Sequence, residues 1–253
     1  MEDGSSVEPT GFRKTGTPRA IELEVVKTTL AAEIGLSTGL FYVPRVLRAD
    51  PMAGVLELER VPGLRTLTEL TSHGHPDVER AVTILGASMA EVHRRLQLPP
   101  DLTASPPHPW RDRREDLVYV HGDLTTNNVC WDEAGHRLMI VDWSSAPLFG
   151  MPVTIADRCL DLAWFCASMF WSPSLVRRPL YPAEAICNAF LTSYAVACPS
   201  FSVERFRDFD HDLMVETRYA VPGAPLRAHV ADRLRRTRWS RWLRTSRTLR
   251  ELS

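Results

Sequence analysis

The stretch Val120-His121-Gly122-Asp123-Leu124-Thr125-Thr126-Asn127-Asn128, with Ile140-Val141-Asp142-Trp143 behind it, constrains this chain more than any other. A loop presents Asp123 and its far end turns Asn128 inward. Val129 before, and Leu138 to Val141 after, the turn Trp131-Asp132-Glu133-Ala134-Gly135-His136-Arg137 read as two strands joined by a short loop. That apolar hairpin carries the chain back to Asp142 at the same cleft. Taken singly, a buried His121, a turn-capping Asp123 and a pair of loop asparagines are commonplace. Their conjunction between apolar strands is what marks a site.

The chain has 253 residues, 44% of them hydrophobic and 24% charged, enough for a substantial core in one domain or two small lobes and unlike a disordered protein. A formal net charge of -1 gives no global case for nucleic acid or an anionic membrane. No apolar run approaches the roughly 20 residues that cross a bilayer, and the start lacks the basic-then-apolar layout of a secretion signal. Cys130, Cys159, Cys166, Cys187 and Cys198 form no CxxC pair or zinc pattern, so they read as reduced core residues of a cytoplasmic protein.

Residues 1–19 are rich in Gly, Ser, Thr, Pro and charge and read as a loose terminus or one short strand, after which Pro18 helps to open a helix. Ile21, Val25, Val26 and Leu30 recur at helical spacing up to Gly35, interrupted by Glu22, Glu24, Lys27 and Glu33. Phe41 to Val46 and Gly54 to Val61 look like strands, the second entering the joint Pro62-Gly63, which suits a hinge. Val78 to Leu98 is a helix with a buried stripe of Val82, Leu85, Met89, Val92 and Leu96, stopped by Pro99-Pro100 and followed by a Pro-rich connector through Trp110. Further helices begin near Asp157 to Phe165 and span Ala183 to Val196. Strand signals thus cluster early and around the motif, and later segments are mainly helical.

On these residues the chain resembles the kinase-like superfamily that includes aminoglycoside phosphotransferases, choline kinases and small atypical kinases of the Bud32 type. The resemblance runs from about Glu22 to Tyr194. It is carried by Leu58-Glu59-Arg60-Val61-Pro62-Gly63 as the hinge, by Leu85-Gly86 with Met89 to His93, by the HGDLTTNN and VDW segments, and by Asp161-Leu162-Ala163. HGDLTT followed by Asn, and ADRCLDL from Ala156 to Leu162, are similar to Bud32-type segments.

The resemblance implies an α+β, protein-kinase-like two-lobe fold, with a reduced N-terminal lobe over residues 1–61 and a mainly helical C-terminal lobe over 62–253. It implies an ATP- and Mg2+-dependent phosphotransferase that moves the γ-phosphate to a hydroxyl of a small molecule. A Bud32-like ATPase linked to tRNA modification, or a pseudokinase with a binding role, is the alternative. Asp123 would be the catalytic base, Asn128 and Asp142 would hold magnesium, and the backbone near Glu59 to Val61 would receive adenine. His121 and Asp161 would support the catalytic loop.

Kinases of this kind place a glycine-rich loop before a lysine strand, yet only thirteen residues precede Lys14 and they contain no GxGxxG. Lys14, in Phe12-Arg13-Lys14-Thr15-Gly16, is the available partner for the nucleotide phosphates. Its ion-pair partner is expected to be Glu22, beside the stripe of Val25, Val26 and Leu30, in preference to Glu24.

Three other constellations read as structural. His73, His75, Asp77 and Glu79 suit a loop and helix cap rather than a metal site. Asp208, Asp210, His211, Asp212 and Glu216 suit a solvated helix face, with an acidic wall for a cationic amine as the alternative. From Arg227 onward nine arginines face only Asp232 and Glu251, interleaved with Leu234, Trp239, Trp242, Leu243 and Leu249. Self-packing is favoured there over contact with nucleic acid, lipid or an acidic partner.

Overall fold

The computed structural model describes residues 11–104, 117–144, 152–171, 181–216 and 226–252, with the side chains of 214–216 and 226–231 excepted. The expected connector beyond residue 104 and the loop at 145–151 lie outside them, as do residues 1–10 of the expected loose terminus.

Strand β1 (Gly11–Thr15) is the short strand allowed for near the start. The helix that follows, α1 (Pro18–Thr38), begins with Pro18 in its first turn and with the Thr17 hydroxyl accepting from the Ala20 N–H at 3.2 Å. Gly39 ends it in the left-handed conformation. The expected strand Phe41 to Val46 divides into β2 (Phe41–Tyr42) and β3 (Val46–Asp50), because Pro44 interrupts it and the two pieces join different sheets.

β4 (Val55–Glu59) is the middle of a three-stranded antiparallel sheet in the order β1-β4-β3, which sets Lys14 opposite Leu56. After β4 the chain crosses Arg60 to Gly63 and enters a second sheet as β5 (Leu64–Thr66). Gly63 takes the turn at φ +74°. Two helices come next, α2 (Leu67–Ser72), opened by a Thr66/Glu69 capping box, and α3 (Val78–Arg95). Every residue of the stripe from Val82 to Leu96 is buried.

β6 (Leu117–Tyr119) leads to the motif, and the hairpin behind it forms as β7 (Val129–Asp132) and β8 (Arg137–Ile140). Trp131 and Asp132 belong to the first strand, not to the turn as expected, since Trp131 is fully buried and pairs with Leu138. The second sheet runs β2-β8-β7-β5, and β9 (Ile155–Asp157) pairs with β6.

The remainder is helical: α4 (Cys159–Trp171), α5 (Ala183–Ala197), α6 (Val203–Glu216), α7 (Leu226–Thr245) and α8 (Arg247–Glu251). Helices α3 and α5 pack closely at Gly86, where a Cβ would sit 2.5 Å from the Phe190 carbonyl oxygen. One large apolar cluster joins α3, α4 and α5 to the hairpin, so the motif rests on the core.

Trp239, Trp242, Leu243 and Leu249 are buried in that cluster, as self-packing requires, whereas Leu234 is exposed. Asp210 departs from the expected solvated face, being fully buried on the same side of α6 as Phe206 and Leu213. Asp208 and His211 do face solvent. All five cysteines are free thiols and all but Cys198 are buried. Among the described residues no helix is long and apolar enough to cross a membrane, and no cluster of His, Cys, Asp and Glu has a metal-holding arrangement, His73 to Glu79 included.

Candidate active site

Asp161 organises the motif. From the first turn of α4 its carboxylate accepts the His121 N–H at 2.7 Å, the Gly122 N–H at 2.9 Å and His93 Nε2 at 3.1 Å, and it is fully buried. Burial raises its pKa, but these donors prevail and hold it below the usual carboxylate range. Gly122 bends the loop at φ +84°, which an L side chain would resist.

His121 closes the loop from within. Its Nδ1 accepts the Asp123 N–H at 3.3 Å, so the proton resides on Nε2, which donates to the Val141 carbonyl at 3.1 Å. The ring lies 4.5 Å from that of Trp143. Burial drops its pKa to about 4, and the imidazole is neutral at neutral pH. The two segments legible as one motif, at 120–128 and 140–143, are therefore tied directly to each other.

Asp123 presents its carboxylate between two neutral donors. Trp164 Nε1 reaches Oδ1 at 3.1 Å and Asn128 Nδ2 reaches Oδ2 at 3.1 Å. The same amide nitrogen donates to the Asp123 carbonyl at 2.8 Å, which leaves the Asn128 amide oxygen for other ligands. Burial is the largest influence on Asp123 and raises its pKa, with the Asp142 charge adding to it. Asp142, at φ +62°, is shifted the other way: burial raises it, but Lys14 Nζ at 2.6 Å and the Ser144 hydroxyl at 2.6 Å more than offset that.

Lys14 arrives from β1, on the other sheet. Its ammonium lies between Asp142 and Glu24, the latter at 2.5 Å, and although burial lowers its pKa the two carboxylates raise it overall. The expected partner Glu22 is displaced by Glu24. The buried face of α1 contains Ile21, Glu24, Thr28, Ala31 and Gly35, while Glu22 faces solvent and pairs with Arg19 at 3.1 Å. Apolar periodicity pointed to the wrong face because the helix buries charged residues toward the site.

Lys27 is the second of those charges and was classed by its sequence as an interruption. It is completely buried, donates to the His121 carbonyl at 2.7 Å, and burial lowers its pKa to about 7. Its place one turn after Glu24 on the same face is the signal that could have found it. Trp164 was missed too, although it stands one turn after Asp161.

The segment Glu59 to Val61 lies where β4 leaves its sheet. The Glu59 carboxylate is taken up by the Tyr42 hydroxyl at 2.8 Å and by Arg45, and its N–H by the Arg45 carbonyl at 2.8 Å. The Val61 N–H has no main-chain partner among the described residues.

No family model and no curated protein matches the sequence. Solved structures do. A choline/ethanolamine kinase family protein from Mesorhizobium loti superposes with TM-score 0.53 at 16% identity, over 95% of this chain and 84% of that one. A glucosamine kinase in complex with glucosamine, ADP and inorganic phosphate gives 0.57 at 16%, over 85% and 73%.

The chain has a protein-kinase-like fold. An aminoglycoside phosphotransferase from Streptomyces rimosus adds TM-score 0.50 at 17% identity, over 81% and 86% of the two chains. These likenesses establish the kinase-like fold as the frame for Lys14, Glu24, Asp123 and Asp142. Oxygen donors suit a hard cation in that frame: Asp142 offers a carboxylate and Asn128 an amide oxygen, and magnesium uses one or two protein ligands plus phosphate and water.

Proposed function

We propose that the protein is an ATP-dependent phosphotransferase whose acceptor is a hydroxyl of a small molecule. The observation that carries this reading is the convergence of Lys14, Glu24, Asp123, Asn128 and Asp142 on one cleft from β1, α1, the catalytic loop and the segment after β8. A motif alone could persist in a binding protein. A lysine brought from 128 positions away onto the second motif aspartate is harder to explain without phosphate chemistry. The named structural neighbours are small-molecule kinases, which supports the same class.

In this reading residues 1–61 form a reduced N-terminal lobe, and the main chain at Glu59 to Val61 receives the adenine. Lys14, held by Glu24, faces the nucleotide phosphates. Asp142 and the amide oxygen of Asn128 hold magnesium, which when bound neutralises phosphate charge. Asp123 orients the acceptor hydroxyl and takes its proton as that oxygen bonds to the γ-phosphorus. The bond from phosphorus to the β–γ bridging oxygen breaks, and ADP leaves. Because burial raises the pKa of Asp123, activity falls on the acid side as the base becomes protonated.

The test is an ATP-consumption screen over sugars, amino alcohols and aminoglycosides, repeated with Asp123→Asn. Loss of a positioned base removes about 10²- to 10⁴-fold of turnover. Near-normal transfer by a folded Asp123→Asn protein would sink the assignment.

A further inference from the structure

Resting on the phosphotransferase reading above, we propose that the acceptor carries an anionic group and that a basic cavity along α7 receives it. The path to that cavity is laid out by α4. All of its side chains are buried except Trp164, Ser168 and Trp171, which share one face at helical spacing.

Each of the three touches a different part of the route. Trp164 donates to the Asp123 carboxylate, and the Ser168 hydroxyl accepts the Thr126 N–H of the catalytic loop at 3.0 Å. Trp171 donates to Asp232 at 3.2 Å, and the Arg236 guanidinium lies over its ring at 5.5 Å. The open edge of one helix therefore runs from the catalytic carboxylate to α7, a rise of about 10 Å over seven residues.

At its far end Asp232, Arg233, Arg236, Thr237, Ser240 and Arg244 line a cavity of about 450 Å³. Three guanidinium groups face one carboxylate, and Asp232 is already engaged by Arg236 at 2.6 Å and by Trp171. Among the described residues, Arg233 and Arg244 have no acidic partner. Elsewhere on α7 and α8, Arg238 and Arg241 pair with Glu184 and Arg247 pairs with Glu251. Arg233 and Arg244 thus leave net positive charge in the cavity.

Guanidinium forks beside Ser and Thr hydroxyls suit a phosphate or carboxylate, and they oppose a cationic amine. The acidic alternative on α6 is weakened by the burial of Asp210. The indoles of Trp164 and Trp171 suit the ring body of a sugar-like acceptor lying between hydroxyl and anion.

The experiment uses the full chain saturated with ADP, so that the nucleotide site is blocked, and calorimetry of trehalose 6-phosphate, trehalose and inorganic pyrophosphate. Wild type is expected to bind trehalose 6-phosphate at least about tenfold more tightly than trehalose, a preference that the R233A/R244A double variant removes, as it removes pyrophosphate binding. An unchanged ADP-induced melting shift certifies the fold of the variant. Equal binding of phosphorylated and plain sugar, a preference that survives the double substitution, or binding of a short RNA but neither small anion would overturn the cavity assignment.

The two readings separate cleanly. ATP-dependent transfer to neutral or cationic acceptors, undiminished in R233A/R244A, removes the anion cavity and keeps the phosphotransferase. An anion preference lost in R233A/R244A, with no acceptor drawing phosphate from ATP, keeps the cavity and removes the phosphotransferase.

Discussion

The Asp123 side of the cleft is held by neutral donors and main-chain N–H groups, whereas the Lys14 side is held by charge facing charge. Asp123 has an indole and an amide on its oxygens, and the loop beneath it is threaded onto Asp161 through two backbone N–H groups. Lys14 has two carboxylates on one ammonium, contributed by α1 and by the segment after β8. The consequence is visible in two aspartates of similar burial. Asp123 is pushed toward protonation and Asp142 is held ionised, which suits the base and the anionic ligand proposed for them.

The sharpest way to break that contrast is at Asp161. Substitution by Asn keeps the shape but turns an NH2 toward donors that need an acceptor, leaving buried N–H groups unsatisfied. Breaking a fully buried charged hub of this kind costs about 3–5 kcal/mol, read as a fall in the urea midpoint of the D161N protein. A loss under about 1 kcal/mol would mean that the loop holds its own shape.

The same contrast explains what was legible in the sequence. The catalytic loop, its hairpin and Asp161 lie within 41 positions, His121 to Asp161, and their polar residues stand out against apolar strands. The pairing of β1 with β4 and of Lys14 with Glu24 depends on tertiary placement, and α1 turns its charged residues inward, so its apolar spacing misreports the buried face. Asp210 misled for the opposite reason, because an acidic run looks solvated even where one member is buried against aromatic rings. Lys27 and Trp164 carry no motif, and only their one-turn offsets from Glu24 and Asp161 connect them to the site.

The next test concerns the charged half. Glu24→Gln removes one of the two carboxylates that fix Lys14, and if Lys14 faces phosphate as proposed, its misplacement by about 1 Å costs on the order of 10²-fold in rate. Glu22→Gln removes only an exposed pair with Arg19 and is expected to leave turnover within about twofold. Steady-state ATP turnover of the two variants decides between the neighbours. Equal losses, or a larger one at Glu22, would restore the apolar-stripe reading of α1.

Lys27 lies between the two halves, as a charge from α1 that grips the main chain of the catalytic loop. Lys27→Met keeps the apolar stem, removes the ammonium, and leaves the His121 carbonyl without this donor. Two opposing effects result. The lost hydrogen bond destabilises by about 1–3 kcal/mol, while the variant escapes the cost of burying a cation.

Their pH dependence separates them. The pKa of Lys27 is about 7 in the fold against 10.5 in the free side chain, so between those values the unfolded chain binds a proton that the folded chain does not. Wild-type stability from this group therefore rises with pH from about 7 to 10.5 and is level below 7. The slope is at most about 1.4 kcal/mol per pH unit, and the methionine variant lacks it. Urea midpoints at pH 7.5 and 9.5 should show K27M close to wild type at the lower pH and clearly weaker at the higher. Parallel curves for the two proteins would mean that Lys27 keeps its proton in the fold throughout this range, and that the two halves of the cleft meet through a charged rather than a neutral amine.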